Sequence, residues 1–171
     1  GPHRVLRPDA RYEHQTVIRP SRIPGAGLGA FARKRIPQGA VIGEYGGVLR
    51  KAHPRPKNTA YLMELPVCAL GKTRPYTLLD GRGAKAHMTR VNFAPKTVNG
   101  KPTHLQNARI GAVCFSPYII FVATRDIQAG EEILTSYGKD YDYRFMRLPV
   151  VRRHFCRVAK VDCSKRYDWR W

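Results

Sequence analysis

Paired cysteines are missing from this chain: Cys68, Cys114, Cys156 and Cys163 are its four, and no two of them form a CxxC. The common zinc clusters are thereby excluded and no disulfide framework is legible, so reduced thiols and no metal site are expected. His154, Cys156 and Cys163 do not make a complete ligand set by themselves. Long apolar runs are absent too, which excludes a membrane-spanning helix. No hydrophobic leader follows Gly1-Pro2, a pair that reads as a protease scar, and a soluble, intracellular protein is expected. Acidic residues are few, with 12 Asp and Glu against 31 Lys and Arg and a formal net charge of +19. That surplus exceeds what solubility requires and implies a polyanionic partner, nucleic acid first, rather than a merely solvated face. The last stretch is especially basic, carrying Arg144, Arg147, Arg152, Arg153, Arg157, Lys160, Lys165, Arg166 and Arg170 against Asp162 and Asp168. Helix-turn-helix and zinc-finger spacings are also absent, so no recognised DNA-binding motif accounts for the charge.

Long amphipathic helical patterns are scarce, whereas short β-rich runs punctuated by Gly, Pro and Asn recur. The 171 residues suit one domain with a sizeable core, mainly β. Strands are expected at 16–18, 30–35, 41–44, 60–64, 76–79, 110–115 and 119–123, with turns at "IPGAGLG", "IPQG", "DGRG", "FSPY" and "IQAGEE". "RKAHPRPKN" (50–58) and "PKTVNGKPTH" (95–104) read as exposed loops. The best helix pattern runs from Tyr141 to Phe155, where Pro149 is expected to interrupt or kink it.

"IPGAGLGAFA" (23–32) contains three glycines that let backbone approach a ligand closely. A dinucleotide fingerprint needs a helix next, but "AFARKRI" alternates like a strand, which rules that reading out. Three further stretches follow: "VIGEYGGVL" (41–49), "LLDGRGAKAHMTRVNFA" (78–94) and "FVATRDIQAGEEILTSYGKDY" (121–141). In order, spacing and content this set resembles the SET-domain family of protein lysine methyltransferases, over roughly residues 18–143, with "RDIQAGEEILTSYG" its most specific piece. The family generally carries an Asn-His-Ser signature where this chain has Asn92-Phe93-Ala94. The PR subclass relaxes that signature, and its surrounding pattern is similar to Met88, Arg90, Val91-Asn92, Ala94 and Gln106-Asn107, so a PR/SET-like domain is expected.

The resemblance implies small β-sheets with a knot-like C-terminal threading and a short helical tail. It implies an N-terminal extension (1–15), a SET domain (16–143) and a basic C-terminal segment (144–171) without a zinc cluster. S-adenosylmethionine would lie between backbone groups at Ala26, Gly27 and Leu28 and the segment holding Met88, Arg90, Asn92 and Phe93. There the Asn92 amide would meet the methionine end and backbone at Phe93 the adenine edge. An aromatic from "YDYRF" or "YDWRW", Trp169 or Trp171, would cover the adenine.

Tyr137 in "TSYG" matches the family's catalytic tyrosine and Tyr45 in "GEYGG" a second tyrosine of the lysine channel, with Tyr76 and Thr135 as further channel positions. Thr135 stands where many members have Phe or Tyr; the smaller side chain gives room that neighbours can fill, which leaves the number of methyl groups open. Glu131 and Glu132 resemble an acidic pair with a structural role. The implied activity is S-adenosylmethionine-dependent lysine methylation of a histone or another chromatin-associated protein in the nucleus. A basic histone tail would be repelled by this charge unless Glu44, Glu64 and Asp80 line the groove, or the basic C-terminal segment grips nucleosomal DNA. The altered signature also admits an inactive SET-like module that binds nucleic acid or protein.

Overall fold

Strands of five residues or fewer build this protein. The computed structural model describes residues 4–114, 118–138 and 143–171. In chain order these contain β1 (Val5–Leu6), α1 (Ala10–Glu13), β2 (Thr16–Pro20), β3 (Leu28–Ala32), β4 (Val41–Tyr45), β5 (Gly47–Arg50) and β6 (Leu62–Glu64). Next come α2 (Leu70–Thr73), β7 (Leu78–Asp80), β8 (Asn92–Phe93), β9 (Thr97–Val98), β10 (Lys101–Pro102), β11 (Ala108–Ala112) and β12 (Ile119–Ala123). β13 (Leu134–Thr135), α3 (Pro149–Ala159) and β14 (Trp169–Arg170) complete the chain.

Five small sheets result: β1-β5-β7-β6, β11-β12-β4, β10-β9-β14, the hairpin β2-β3 and the parallel pair β13-β8. β12, the apolar run "IIFVA", is central in its sheet, as a strand buried along most of its length must be. Ile42, Leu79, Met88, Phe121, Ile127 and Ile133 fill one core, and Val98, Met146, Val151 and Phe155 a second.

The parallel pair joins β8 to the strand that leads to Tyr137. Leu134 lies beside Asn92 and Thr135 beside Phe93, and the Ala94 N–H donates to the Thr135 carbonyl at 3.1 Å. On the other side Asn107, almost fully buried, accepts from the Leu134 N–H at 2.9 Å and donates its side-chain amide to the Glu132 carbonyl at 2.8 Å. The stretch leading to Tyr137 is thus bonded on both flanks.

The helix falls later than expected. A 3-10 turn spans Arg144–Arg147, and Pro149 is the first residue of α3 rather than a break within it. At that position the missing N–H costs no intrahelical bond and the fixed φ suits the helix. Val151, Phe155, Cys156 and Ala159 form the buried face, and Lys160 ends the helix in the left-handed region at φ 58°.

Two other expectations are corrected. "PKTVNGKPTH" is not a loop: β9 and β10 form a hairpin across Asn99-Gly100, both at positive φ (49° and 78°), and β14 pairs with β9. Asn-Gly is the dipeptide such a turn favours. Nor are the thiols reduced, since Cys68 bonds Cys114 and Cys156 bonds Cys163. The second pair depends on the chain reversal after Lys160, and the first joins residues 46 apart in sequence, so neither was readable from spacing. The expected "FSPY" turn falls largely outside the described residues.

Loop-closure entropy gives the expected cost of opening each bridge: about 4 kcal/mol for Cys68–Cys114 and about 2.5 kcal/mol for Cys156–Cys163. Melting curves of Cys114→Ser and Cys163→Ser should both fall below wild type, with Cys114→Ser lower. A melting temperature insensitive to reductant would contradict both bridges.

Candidate active site

The turn between β2 and β3 brings backbone to the surface of a cavity. The Ser21 N–H closes it on the Gly27 carbonyl at 2.7 Å, and Gly27 sits at φ +73° with open space where a Cβ would be. That conformation strains any other residue. Glu132, 6% exposed, holds the turn from beneath. Its carboxylate accepts from the Ser21 hydroxyl at 2.7 Å, the Arg22 N–H at 2.9 Å and the Asn92 amide at 3.3 Å. Asn92 donates also to the Leu28 carbonyl at 3.0 Å. A Cβ on Gly29 would lie 2.5 Å from this carboxylate, so the close approach requires glycine there. The expected structural role of Glu132 thus has a geometry, while Glu131 pairs with Arg125 at 2.9 Å nearer the surface.

The cavity, about 630 Å³, has walls from both cores: Tyr45 and Val91 from the first, Ala26 and Phe93 from the fringe of the second. Leu28, Arg90, Asn92 and Tyr137 also line it. Its size is typical of a small-molecule or cofactor site. Phe93 meets Tyr137 edge-on at 4.5 Å and Tyr143 edge-on at 5.6 Å. The Tyr143 hydroxyl accepts from the Tyr137 N–H at 2.9 Å and donates to the Gly138 carbonyl at 2.7 Å, fixing the backbone that carries Tyr137. Burial pushes the Tyr143 hydroxyl above the ordinary tyrosine range, so it remains a protonated donor. Trp171 stacks on Tyr143 at 3.7 Å, and its backbone carbonyl accepts from Gln106, which also bonds the Ala94 carbonyl. Tyr45, 3% exposed, donates its hydroxyl to the Tyr61 carbonyl at 2.7 Å and so ties β4 to the segment entering β6.

Ala26, Leu28, Tyr45, Arg90, Asn92, Phe93 and Tyr137 therefore share one cavity, with Gly27 in the turn between two of its walls. Met88, Thr135 and Tyr76 do not join them. Met88 is fully buried against Gly43, where a Cβ would come within 2.7 Å of it, so it is core. Thr135 is fully buried with its hydroxyl on the Ala108 carbonyl at 2.8 Å, so it fills interior space behind the cavity. Tyr76 lines a different cavity, beneath Arg4. Of the carboxylates expected in the groove only Glu64 lines it. Glu44 caps the Asp9 N–H, and Asp80 is buried against Arg50.

Trp169 lies on β14 beside Val98, under Arg147. Neither Trp169 nor Trp171 is a wall of the cavity. Residues 139–142, which include part of "YDYRF", lie outside the described residues. Two further residues of the site carry no sequence signal: Tyr61, a wall residue in a short run with no motif, and Tyr143, whose role needs a bond across five residues. Among the described residues no group of three or more His, Cys, Asp or Glu could hold a metal ion, and no helix is long and apolar enough to cross a membrane.

The family model described as "SET domain" matches residues 27–138, well over half of the chain, from Gly27 at the end of the turn through Asn92 to Tyr137. The chain belongs to the SET-domain family. None of the curated proteins matches it by sequence. Its fold is similar to that of the methyltransferase domain of human PR domain-containing protein 2, at 22% identity and TM-score 0.54, covering 79% of this chain and 88% of that one. A proposed histone methyltransferase of Plasmodium falciparum is similar at 23% identity and TM-score 0.50, over 74% of this chain and 96% of that one. The Chaetomium thermophilum polycomb repressive complex 2 contains a chain similar at 24% identity and TM-score 0.52, over 75% of this chain but only 16% of that one.

Removing Glu132 leaves a hydroxyl, a backbone N–H and an amide without this acceptor, whereas Glu131 loses a partly exposed ion pair to Arg125 and a bond from the exposed Gln128 N–H. Glu132→Ala should cost about 2 to 4 kcal/mol and Glu131→Ala about 0 to 1 kcal/mol in denaturant unfolding. Equal costs would contradict the anchoring role.

Proposed function

We propose that this protein is an S-adenosylmethionine-dependent protein-lysine N-methyltransferase. The observation that carries the proposal is the gathering of Tyr137, Tyr45, Asn92 and the glycine turn around one cavity. The residues present fit the cofactor: the cavity has the volume of a cofactor site, and the turn at Gly27 leaves backbone open at its edge. Ala26, Leu28, Arg90, Asn92 and Phe93 would hold it. When bound, S-adenosylmethionine supplies a sulfonium methyl group as the electrophile.

The chain's own residues prepare the amine. A lysine side chain has a pKa of about 10.4 in water and must become neutral to act as a nucleophile. Tyr45, Tyr61 and Tyr137 give the cavity aromatic walls, and desolvation between such walls disfavours the ammonium form. The Tyr137 hydroxyl orients the amine, while the bonds of Tyr143 to both flanks of that residue keep its position fixed. Tyr45 acts as a wall, its hydroxyl donated to Tyr61.

The proposed substrate is a histone or another chromatin-associated protein, which makes the nucleus the proposed location. The descriptions of the similar structures support this reading. Glu64 against Arg90 leaves the cavity walls without the basic excess of the whole chain, so a cationic side chain can approach. On α3, Arg153 and Arg157 are exposed and available to DNA, whereas Arg152 is half-buried over Tyr167. In a reducing nucleus the two cystine pairs would stand as adjacent thiols.

A second reading, a SET-like module without catalysis, draws on Asn92, whose amide nitrogen is already committed to Leu28 and Glu132. Binding of S-adenosylmethionine separates the two, since an inactive adaptor has no need of it.

Tyr137→Phe should keep the melting temperature and cofactor affinity but reduce labelled methyl transfer to nucleosomes by about a hundredfold or more. Near wild-type transfer would remove Tyr137 from its role. Asn92→Ala should weaken S-adenosylmethionine binding by about 1 to 3 kcal/mol in calorimetry, beyond any loss of stability. Unchanged affinity with a lower melting temperature would leave Asn92 with only a structural role, as the clamp on Leu28 and Glu132.

A further inference from the structure

A second cavity, about 690 Å³, opens beside β5 and β7 under the 51–58 segment, and its electrostatics differ sharply from those of the candidate active site. Six cationic side chains line it: Arg4, Arg50, Lys51, Arg55, Lys57 and Arg82. Asp80 is the one carboxylate among the lining residues, and it is already engaged. Its Oδ2 accepts from Arg50 Nε at 3.0 Å and its Oδ1 from the Arg82 N–H at 2.9 Å. Gathering so many like charges is unfavourable unless an anion neutralises them.

Arg4 adds an independent sign. Its guanidinium lies 5.2 Å from the centre of the Tyr76 ring, and its Nε is buried with no hydrogen-bond partner among the described residues. A buried, unmatched donor on a positioned guanidinium calls for an acceptor from outside the chain.

We propose that this cavity binds the phosphate backbone of a nucleic acid, at a site separate from the candidate active site and from α3. Four of the six cations are arginines, whose planar forks match phosphate oxygens in pairs. Six cations exceed what one phosphate group needs, whereas a duplex presents one charge about every 1.7 Å of its axis. Lys51, Arg55 and Lys57 are exposed, so a long polyanion can reach them without rearrangement of the core.

The test is fluorescence polarisation of the full chain with a labelled mixed-sequence DNA duplex, as a function of salt. The triple variant Lys51→Glu/Arg55→Glu/Lys57→Glu should bind at least tenfold more weakly than wild type, and its log-affinity against log-salt slope should be shallower by about 2 to 3. The pair Arg153→Glu/Arg157→Glu on α3 should change both by less. If the triple variant does not melt cooperatively, Lys51→Gln/Arg55→Gln/Lys57→Gln replaces it, with the same loss of slope expected. Unchanged affinity and slope in the variant would overturn the proposal, as would a larger loss in the α3 pair. Polyglutamate displacing the duplex at equal charge concentration would overturn it in favour of an acidic protein segment, and tripolyphosphate doing so in favour of a small polyphosphate.

Discussion

One buried carboxylate holds together the parts of this site that come from distant stretches of sequence. Glu132 accepts from Ser21 and Arg22 on the glycine turn and from Asn92 on the segment opposite, while its own backbone carbonyl accepts from Asn107. The segments at 21–22, 92 and 107 are thereby tied to the one that carries Glu132, beside one cavity. The requirement for glycine at position 29 follows directly, since any side chain there would displace the carboxylate. Such a network stabilises only when every member is satisfied, and loss of its centre strands several donors at once.

The aromatic chain on the other side of the cavity serves a matching purpose. Trp171 stacks on Tyr143, Tyr143 meets Phe93 edge-on and Phe93 meets Tyr137, so the C-terminal tail supports the residue proposed to orient the amine. β14 fastens that tail to β9, and the β9–β10 hairpin is what gives it an edge to pair with. The basic C-terminal stretch is therefore structural as well as charged: Arg152 and Arg147 cover aromatic rings, and Arg166 and Arg170 flank Asp168. A separate group of six cations lines the second cavity, around Arg4, Arg55 and Lys57.

Motif-bearing parts of the site were readable from sequence because their chemistry is local. The glycine turn, Asn92 and Tyr137 each sit in a short distinctive string, and β12 was placed residue for residue by its apolar run. Met88 and Thr135 lie inside such strings and Tyr76 just before one, yet none of the three lines the cavity. Thr135 precedes Tyr137 by two, yet it is fully buried with its hydroxyl held by the Ala108 carbonyl on β11. Tyr76 stands before the "LLDG" strand, but β7 carries it to the other cavity. The cystines and Tyr143 were invisible because they depend on chain reversals that no spacing encodes.

The central claim is that the cavity between the glycine turn and the 90–93 segment holds S-adenosylmethionine beside Tyr137. Ultraviolet cross-linking of labelled S-adenosylmethionine to the intact protein, followed by peptide mapping, tests it most directly. The account predicts label on the peptides that contain Ala26–Leu28 or Arg90–Phe93, suppressed by excess unlabelled cofactor. Absence of specific labelling, or label confined to peptides away from this cavity, would contradict it.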